Sequence, residues 1–424
     1  MKKFYIALGI AISVYSCKVN APVSKTDTLL AEKAKSDIYT LASDEFEGRG
    51  IGTPGADKAA AYIFDRFEQM GLSPKGTNSY YQSFSFIPQG HGQLHQVGDS
   101  LKMGMSVSKE IHGKNVIGMI DNGAPYTIVI GAHYDHLGFG DENSLWTGER
   151  AIHNGADDNA SGVSAMLELA GLLNQKNANT TKYNYVFIAF SGEEKGLWGS
   201  NYFSKNPTVD LTKVNIMLNM DMVGRLNAER ALSISGTGTS PKLEKYLTYC
   251  NTSNFKLLFD PSGIGPSDHS SFYNVGVPVL HFFTGQHSDY HKPTDDADKI
   301  NYDGLQDVVS YMYSIVIVLN ENDKLEFTKT KEPVQQNTSF KVTLGIMPDY
   351  MFSGTGLRVD GVREDRPAAK AGIKQGDVIV KMAEFAIPDM QAYMESLGKF
   401  SEGQTIPVEI IRDGNKMTVQ VTFK

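Results

Sequence analysis

GADDNASG, residues 155–162, sets two adjacent carboxylates, Asp157 and Asp158, in a glycine-bounded loop that leads into an apolar helical pattern with Val163, Met166, Leu167, Leu169 and Ala170. Neighbouring anions repel, so such a pair belongs either on a solvated loop or around divalent cations, which take carboxylate oxygens. Alone, it reads equally well as an acidic turn in which Asn159 or Ser161 caps the following helix. The segments on either side decide between the two.

Those segments alternate. Residues 126–132, 185–190, 214–220 and 277–283 are short apolar runs rich in Val, Ile and aromatics, separated by helical patterns at 161–175 and 241–249. This alternation predicts an α/β layer fold, a doubly wound and mostly parallel sheet. In such folds ligands gather at the carboxyl ends of the strands. The first run ends in GAHYDHLG, the second in FSGEE and the third in NMDMVG, and the fourth is followed by GQHSDYHKPTDD. Four strand ends out of four deliver acids or histidines, a pattern that solvated loops rarely produce together.

The residue types suit metal-assisted hydrolysis. His133 and Asp135 lie two apart in an extended segment and face one way, which casts Asp135 as the carboxylate that fixes the His133 imidazole, and His136 as structural. Glu193 and Glu194 diverge, so one can hold a metal while the other takes a proton from the attacking water. Asp221 follows a very apolar strand, where an unpaired carboxylate is costly and a cation removes the cost. His291 adds a second imidazole, and the two oxygens of Asp157 can bridge two ions.

Residues from about 44 to 320 closely resemble the family M28 aminopeptidases, zinc enzymes with a doubly wound fold of the zinc-peptidase, phosphorylase/hydrolase-like kind. The resemblance implies two Zn2+ per chain, one held by His133, Asp157 and Asp221 and the other by Asp157, Glu194 and His291. It implies Glu193 as general base, Asp158 as the residue joined to the bridging aspartate by a cis peptide bond, and Tyr290 as a hydrogen-bond donor to the tetrahedral intermediate. SDHSSF at 267–272 resembles a motif lining the active site, with Asp268 near metal or substrate and His269 equally suited to structure. Peptide substrates follow, cleaved at the N-terminus. The alternatives are a glutaminyl cyclase, a related acyl-transfer enzyme with one zinc, and a non-hydrolytic envelope binding protein.

A second unit follows. Residues 28–325 are assigned to the peptidase-like domain, the polar stretch 326–339 to a linker, and 340–424 to a small β-rich domain. TLGIMPD and DRPAAKAGIKQGDVIV resemble a bacterial PDZ domain, which implies that the backbone amides of Leu344, Gly345 and Ile346 receive a peptide or protein C-terminal carboxylate.

The start of the chain differs from the rest. Lys2 and Lys3 precede an apolar run ending at Ser16-Cys17, a pattern that resembles a lipoprotein signal over residues 1–17, followed by a polar tether over 18–27. The expectation is the bacterial cell envelope, either lipid-anchored, with membrane contact only through a lipid on Cys17, or periplasmic or secreted after ordinary signal cleavage nearby, which Tyr15 leaves open. With a lipid on Cys17, Cys250 is unpaired and expected to be a buried small apolar residue. The net charge of −8, with no basic run, argues against nucleic acid as the main partner. EFEGRGIGTPG at 45–55 lacks the preceding strand and placed lysine of a phosphate-binding loop. His91, His95 and His112 are spaced too loosely for a site and read as surface residues. The span between about Gln82 and Lys114 is too short for the protease-associated domain that many extracellular relatives insert there.

Overall fold

A computed structural model of the chain describes residues 25–86, 93–97, 100–104, 110–175, 182–330, 342–348, 352, 354–362 and 366–423. At its centre lies the strand Tyr126–His133, parallel to Tyr183–Phe190 on one side and to Val214–Met220 on the other. Val279–Phe283 continues the parallel set beside Val214–Met220. Antiparallel pairing closes both flanks. Ile111–Ile120, carrying Tyr81–Phe86 and Ser73–Pro74, lies beyond Tyr183–Phe190, and Ala231–Ser235 with its parallel neighbour Lys256–Asp260 lies beyond Val279–Phe283.

The apolar runs form strands because both faces of the sheet are covered, which demands continuous hydrophobicity rather than alternation. Ile128, Ile130 and Ala132 enter a layer with Ile38, Leu41, Met166, Leu169, Val308 and Met312, supplied by the helices Lys25–Leu41, Gly162–Gln175 and Tyr302–Glu321. Val129, one residue out of phase, enters the opposite layer with Phe203 and Phe272 from Trp198–Lys205 and His269–Tyr273. The fold is therefore doubly wound. Because the central strands run parallel, His133, Ser191, Asp221 and Thr284 all leave the sheet along one edge.

Capping chemistry sets several boundaries. Thr53 Oγ1 accepts the amide of Ala56 at 3.3 Å and Pro54 opens the helix Pro54–Gln69, which stops at Gly71 with φ of 70°. Asn301 Oδ1 accepts the amide of Gly304 at 2.9 Å and starts Tyr302–Glu321, a helix the sequence reading passed over, as it did the mostly buried strand Ala231–Ser235 and the more exposed Lys256–Asp260 beside it. The polar stretch after 325 does not leave the sheet domain at once. The Thr328 amide donates to the Thr239 carbonyl at 2.8 Å, and the Thr330 amide donates to the Tyr273 hydroxyl at 2.9 Å, so residues to 330 dock where a linker was expected.

A separate antiparallel sheet runs Ile346–Pro348, Leu357–Val362, Val378–Met382, Thr405–Arg412 and Asn415–Thr422, with Phe385–Ala386 paired to its middle strand. Its own core contains Leu344, Val359, Ile379, Val408, Val421 and Phe423. Cys250 is buried, and burial pushes its thiol up to about 12. His112 is exposed, 2.9 Å from Ser85 Oγ. The expectations for residues 1–17, for Cys17 and for His91 and the side chain of His95 lie outside the described residues. Among the described residues no helix is long and apolar enough to cross a membrane.

Candidate metal centre

Three imidazoles, those of His133, His136 and His291, and three carboxylates meet at the carboxyl edge of the sheet. His133 Nε2 lies 3.4 Å from Asp158 Oδ1 and 3.4 Å from Asp221 Oδ1. His291 Nε2 lies 3.3 Å from Asp158 Oδ2 and 3.3 Å from Glu194 Oε2. Asp158 thus turns one oxygen to each set. Four such separations near one value are informative, because nitrogen and oxygen ligands about 2.0–2.1 Å from a tetrahedral ion stand roughly 3.3 Å apart. The imidazole and carboxylate donors fit zinc, and a buried group of acids with so few cations has an electrostatic reason to take one. The imidazoles of His133 and His291 are also oriented: His133 Nδ1 faces the Asp135 carbonyl at 3.1 Å and His291 Nδ1 faces the Asn143 carbonyl at 2.9 Å.

The bridging position belongs to Asp158 in this geometry, and the reading that gave it to Asp157 is corrected. Asp157 Oδ1 accepts the Gly224 amide at 2.7 Å and its Oδ2 lies 3.1 Å from His287 Nε2, so both oxygens are engaged away from the imidazoles of His133 and His291. The cis peptide bond likewise joins Asp158 to Asn159, one residue later than expected. The loop is held from all sides. Asp295 Oδ2 accepts the amides of both Asp157 (2.9 Å) and Asp158 (3.0 Å), while the Asn159 side chain donates to the Met220 carbonyl and accepts the Gly162 amide, each at 2.9 Å. Gly155 has φ of 56°, and a Cβ there would strike the Asp158 carbonyl.

Asp135 also acts differently from the expectation. Its carboxylate is 3.9 Å from His133 Nδ1, and instead accepts the amides of Glu193 at 3.1 Å and Glu194 at 3.4 Å. It therefore ties the His133 segment to the paired glutamates, and its backbone carbonyl orients the imidazole. Burial raises the Asp135 carboxyl to about 6 against the pull of His133.

The two glutamates are driven apart electrically. Burial raises Glu193 well above the ordinary range; His133 opposes this and the Asp221 charge adds to it. For Glu194, burial is outweighed by His291 and His136, which hold it well below that range. Asp221 is lowered to about 2, burial being outweighed by His133. The two neighbouring carboxyls are thus shifted in opposite directions by their surroundings.

Tyr290 stacks on His291 with ring centroids 3.8 Å apart. Asp268 is buried beneath the site and desolvation raises its carboxyl to about 7; His269 is buried in a stack on His281 at 4.6 Å. In the small domain, the Leu344 carbonyl accepts the Ala368 amide (2.9 Å), the Gly345 amide donates to Thr343 Oγ1 (3.0 Å), and Ile346 opens the first strand.

Sequence reasoning missed the supports. Arg49 is fully buried and donates to the carbonyls of Tyr134 (2.7 Å), Leu41 (2.6 Å), Asn154 (2.6 Å) and Gly155 (2.8 Å). His287, Asp295 and Asn143 were not singled out, although His287 and Asp295 stand in the acid- and histidine-rich stretch after the fourth central strand.

The model described as peptidase family M28 matches residues 115–316, and one described as a PDZ domain matches 323–423. The alkaline phosphatase isozyme conversion protein of Escherichia coli is 31% identical over 54% of this chain and 70% of its own length. Aminopeptidase YwaD of Bacillus subtilis is 28% identical over 49% of this chain and 44% of its own. The chain spans about half the length of most of the curated relatives it matches. The crystal structure of Porphyromonas gingivalis glutaminyl cyclase superposes with a TM-score of 0.54 at 18% identity, covering 68% of this chain and 98% of that one, a likeness of fold.

Proposed function

The chain belongs to peptidase family M28, and on that premise we propose that it is a two-zinc aminopeptidase that removes N-terminal residues from peptides. The observation that carries this reading is Asp158, whose two oxygens face two separate histidine and carboxylate sets. His133, Asp158 and Asp221 would hold one ion, and Asp158, Glu194 and His291 the other. Zinc, when bound, polarises the scissile carbonyl and makes water a stronger nucleophile. Glu193 accepts the proton of the attacking water and returns it to the departing amine, a task its raised basicity suits. Asp135 accepts the Glu193 amide and so ties the backbone of that residue to the His133 segment. Tyr290, stacked on His291, is the candidate donor to the oxygen that gains charge during attack. The PDZ domain presents a peptide-binding module, with Leu344, Gly345 and Ile346 at its carboxylate end. The signal-like pattern at 1–17 supports work in the bacterial cell envelope with a lipid on Cys17.

The test is zinc per chain, measured together with the release of free amino acids from unblocked and N-acetylated peptides. Two zincs with release from the unblocked peptide alone are expected. One zinc with cyclisation of N-terminal glutamine would replace this reading with the cyclase, and neither zinc nor turnover would leave a binding protein.

A further inference from the structure

We propose that His136 is a positioning residue for the second metal, fixing which oxygen of Glu194 faces the ion. The inference rests on the two-metal reading above. His136 Nδ1 lies 2.8 Å from Glu194 Oε1, while His291 Nε2 lies 3.3 Å from Glu194 Oε2. These two lengths differ in kind. The longer one matches the separation of two ligands on one tetrahedral ion, and the shorter one is a charge-assisted hydrogen bond. His136 thus donates a proton to one oxygen of Glu194, and the other oxygen is left for the ion shared with His291 and Asp158. Its more distant approach to Asp158 Oδ2, at 3.6 Å, adds no second hydrogen bond.

The far nitrogen supports the same tautomer. His136 is buried and its Nε2 has no hydrogen-bond partner among the described residues. With the proton on Nδ1, Nε2 carries none, and no N–H is buried unpaired. Metal ligation through Nδ1 would force the proton to Nε2 and leave that donor stranded. His136 therefore serves Glu194 rather than the ion, although its nitrogen stands within reach of the same ion as Asp158 and Glu194.

The experiment compares zinc binding by wild type, His136→Leu and His136→Gln through chelator competition on the full chain, with cobalt-substituted protein examined by X-ray absorption. The wild-type zinc count tests the two-metal reading by itself, and only the difference between proteins tests His136. His136→Leu should weaken one of the two zincs about 10- to 100-fold, the size seen when an outer hydrogen bond to a ligand is removed. His136→Gln, which keeps a donor, should recover part of that loss. The number of imidazoles per metal should be the same in all three proteins. Unchanged affinity in His136→Leu, or one imidazole fewer in it, overturns the proposal. Should the variants fail to fold, nitrogen NMR of the zinc-loaded wild type decides: a proton on His136 Nδ1 supports the role, and a coordinated Nδ1 overturns it.

Discussion

The guanidinium of Arg49 lies 2.8 Å from the carbonyl oxygen of Gly155, inside a ring of four carbonyls contributed by Leu41, Tyr134, Asn154 and Gly155. One buried cation thereby straps the segment after His133 to the loop that carries Asp158. Burial lowers its basicity to about 10 even though Asp158 and Asp295 pull the other way, so Arg49 stays charged at neutral pH. Arg49→Met takes a donor from all four carbonyls; that of Gly155 keeps the Ala160 amide at 3.2 Å, while those of Leu41, Tyr134 and Asn154 lose the guanidinium, a stranded buried acceptor costing about 1–3 kcal/mol. We expect a loss on the order of 3–5 kcal/mol, since neighbouring losses do not add fully. Arg49→Lys should recover only part, because an ammonium cannot span four carbonyls from a planar fork. Calorimetry with zinc titration checks both, and zinc retention should fall with the thermal transition.

Asp157 and Asp158 give a direct contrast. Asp158→Ala removes the carboxylate common to both sets and should abolish tight binding of both zincs. Asp157→Ala removes an acceptor from the Gly224 amide and a partner from His287. It should cost about 1–3 kcal/mol of stability while the protein still takes up two zincs at saturation. Metal analysis of the two variants separates the assignments, and the opposite result would restore Asp157 as the bridge.

How much of this was readable beforehand follows from what each residue type reveals. The strands 126–133, 183–190 and 214–220 were legible because burial on both faces demands continuous apolar runs, and their polar ends named His133, Glu193, Glu194 and Asp221. The choice between Asp157 and Asp158 was not legible. Both are aspartates in one loop, and which turns inward depends on Gly155, Arg49 and Asp295, residues far apart in the chain. Asp135 was placed near the right partners with the wrong atom, because spacing fixes the face of a strand and not whether a side chain or a carbonyl makes the contact. Arg49 stood in a glycine-rich stretch whose only tested role was phosphate binding, and a cation serving four carbonyls has no spacing signature at all.

Glu193→Gln should keep both zincs, since Glu193 belongs to neither ligand set, yet lower the rate about 10²- to 10⁴-fold. The pH dependence has a definite sign. A general base works deprotonated, and burial moves the Glu193 carboxyl upward, so kcat/KM should fall as pH drops through its raised value. Bound cations shift that limb back toward acid. Glu193→Gln should lose the limb itself in its residual activity, which pH profiles of the two proteins will show. A variant retaining the wild-type acid limb would assign the base elsewhere.

Cys250 offers a test of burial. Its thiol is pushed up to about 12, so the folded protein favours the protonated form. Because the folded value lies above the unfolded one, the stabilisation is complete below the unfolded range near 8.5–9 and is lost as pH climbs from there toward 12. At pH 8 the native thiol should resist a disulfide reagent and react once the sheet domain unfolds. Rapid labelling of the native protein would contradict the buried placement.

A last prediction concerns the contact between the first two helices. Arg66 Nε and Nη2 donate to Asp37 Oδ1 at 2.9 Å and Oδ2 at 3.0 Å, and the Tyr62 hydroxyl donates to Oδ1 as well. Asp37 is fully buried, so its removal leaves a nearly buried guanidinium with no counter-charge. Asp37→Ala should cost about 3–5 kcal/mol. Replacing both members, Asp37→Leu with Arg66→Met, removes the stranded charge together with the pair, and should therefore be less destabilising than Asp37→Ala. The comparison is made on the thermal transition of the sheet domain in the two singles and the double. A double variant no better than the singles would mean that geometry specific to the ion pair, and not the cost of an unpaired charge, holds these helices together.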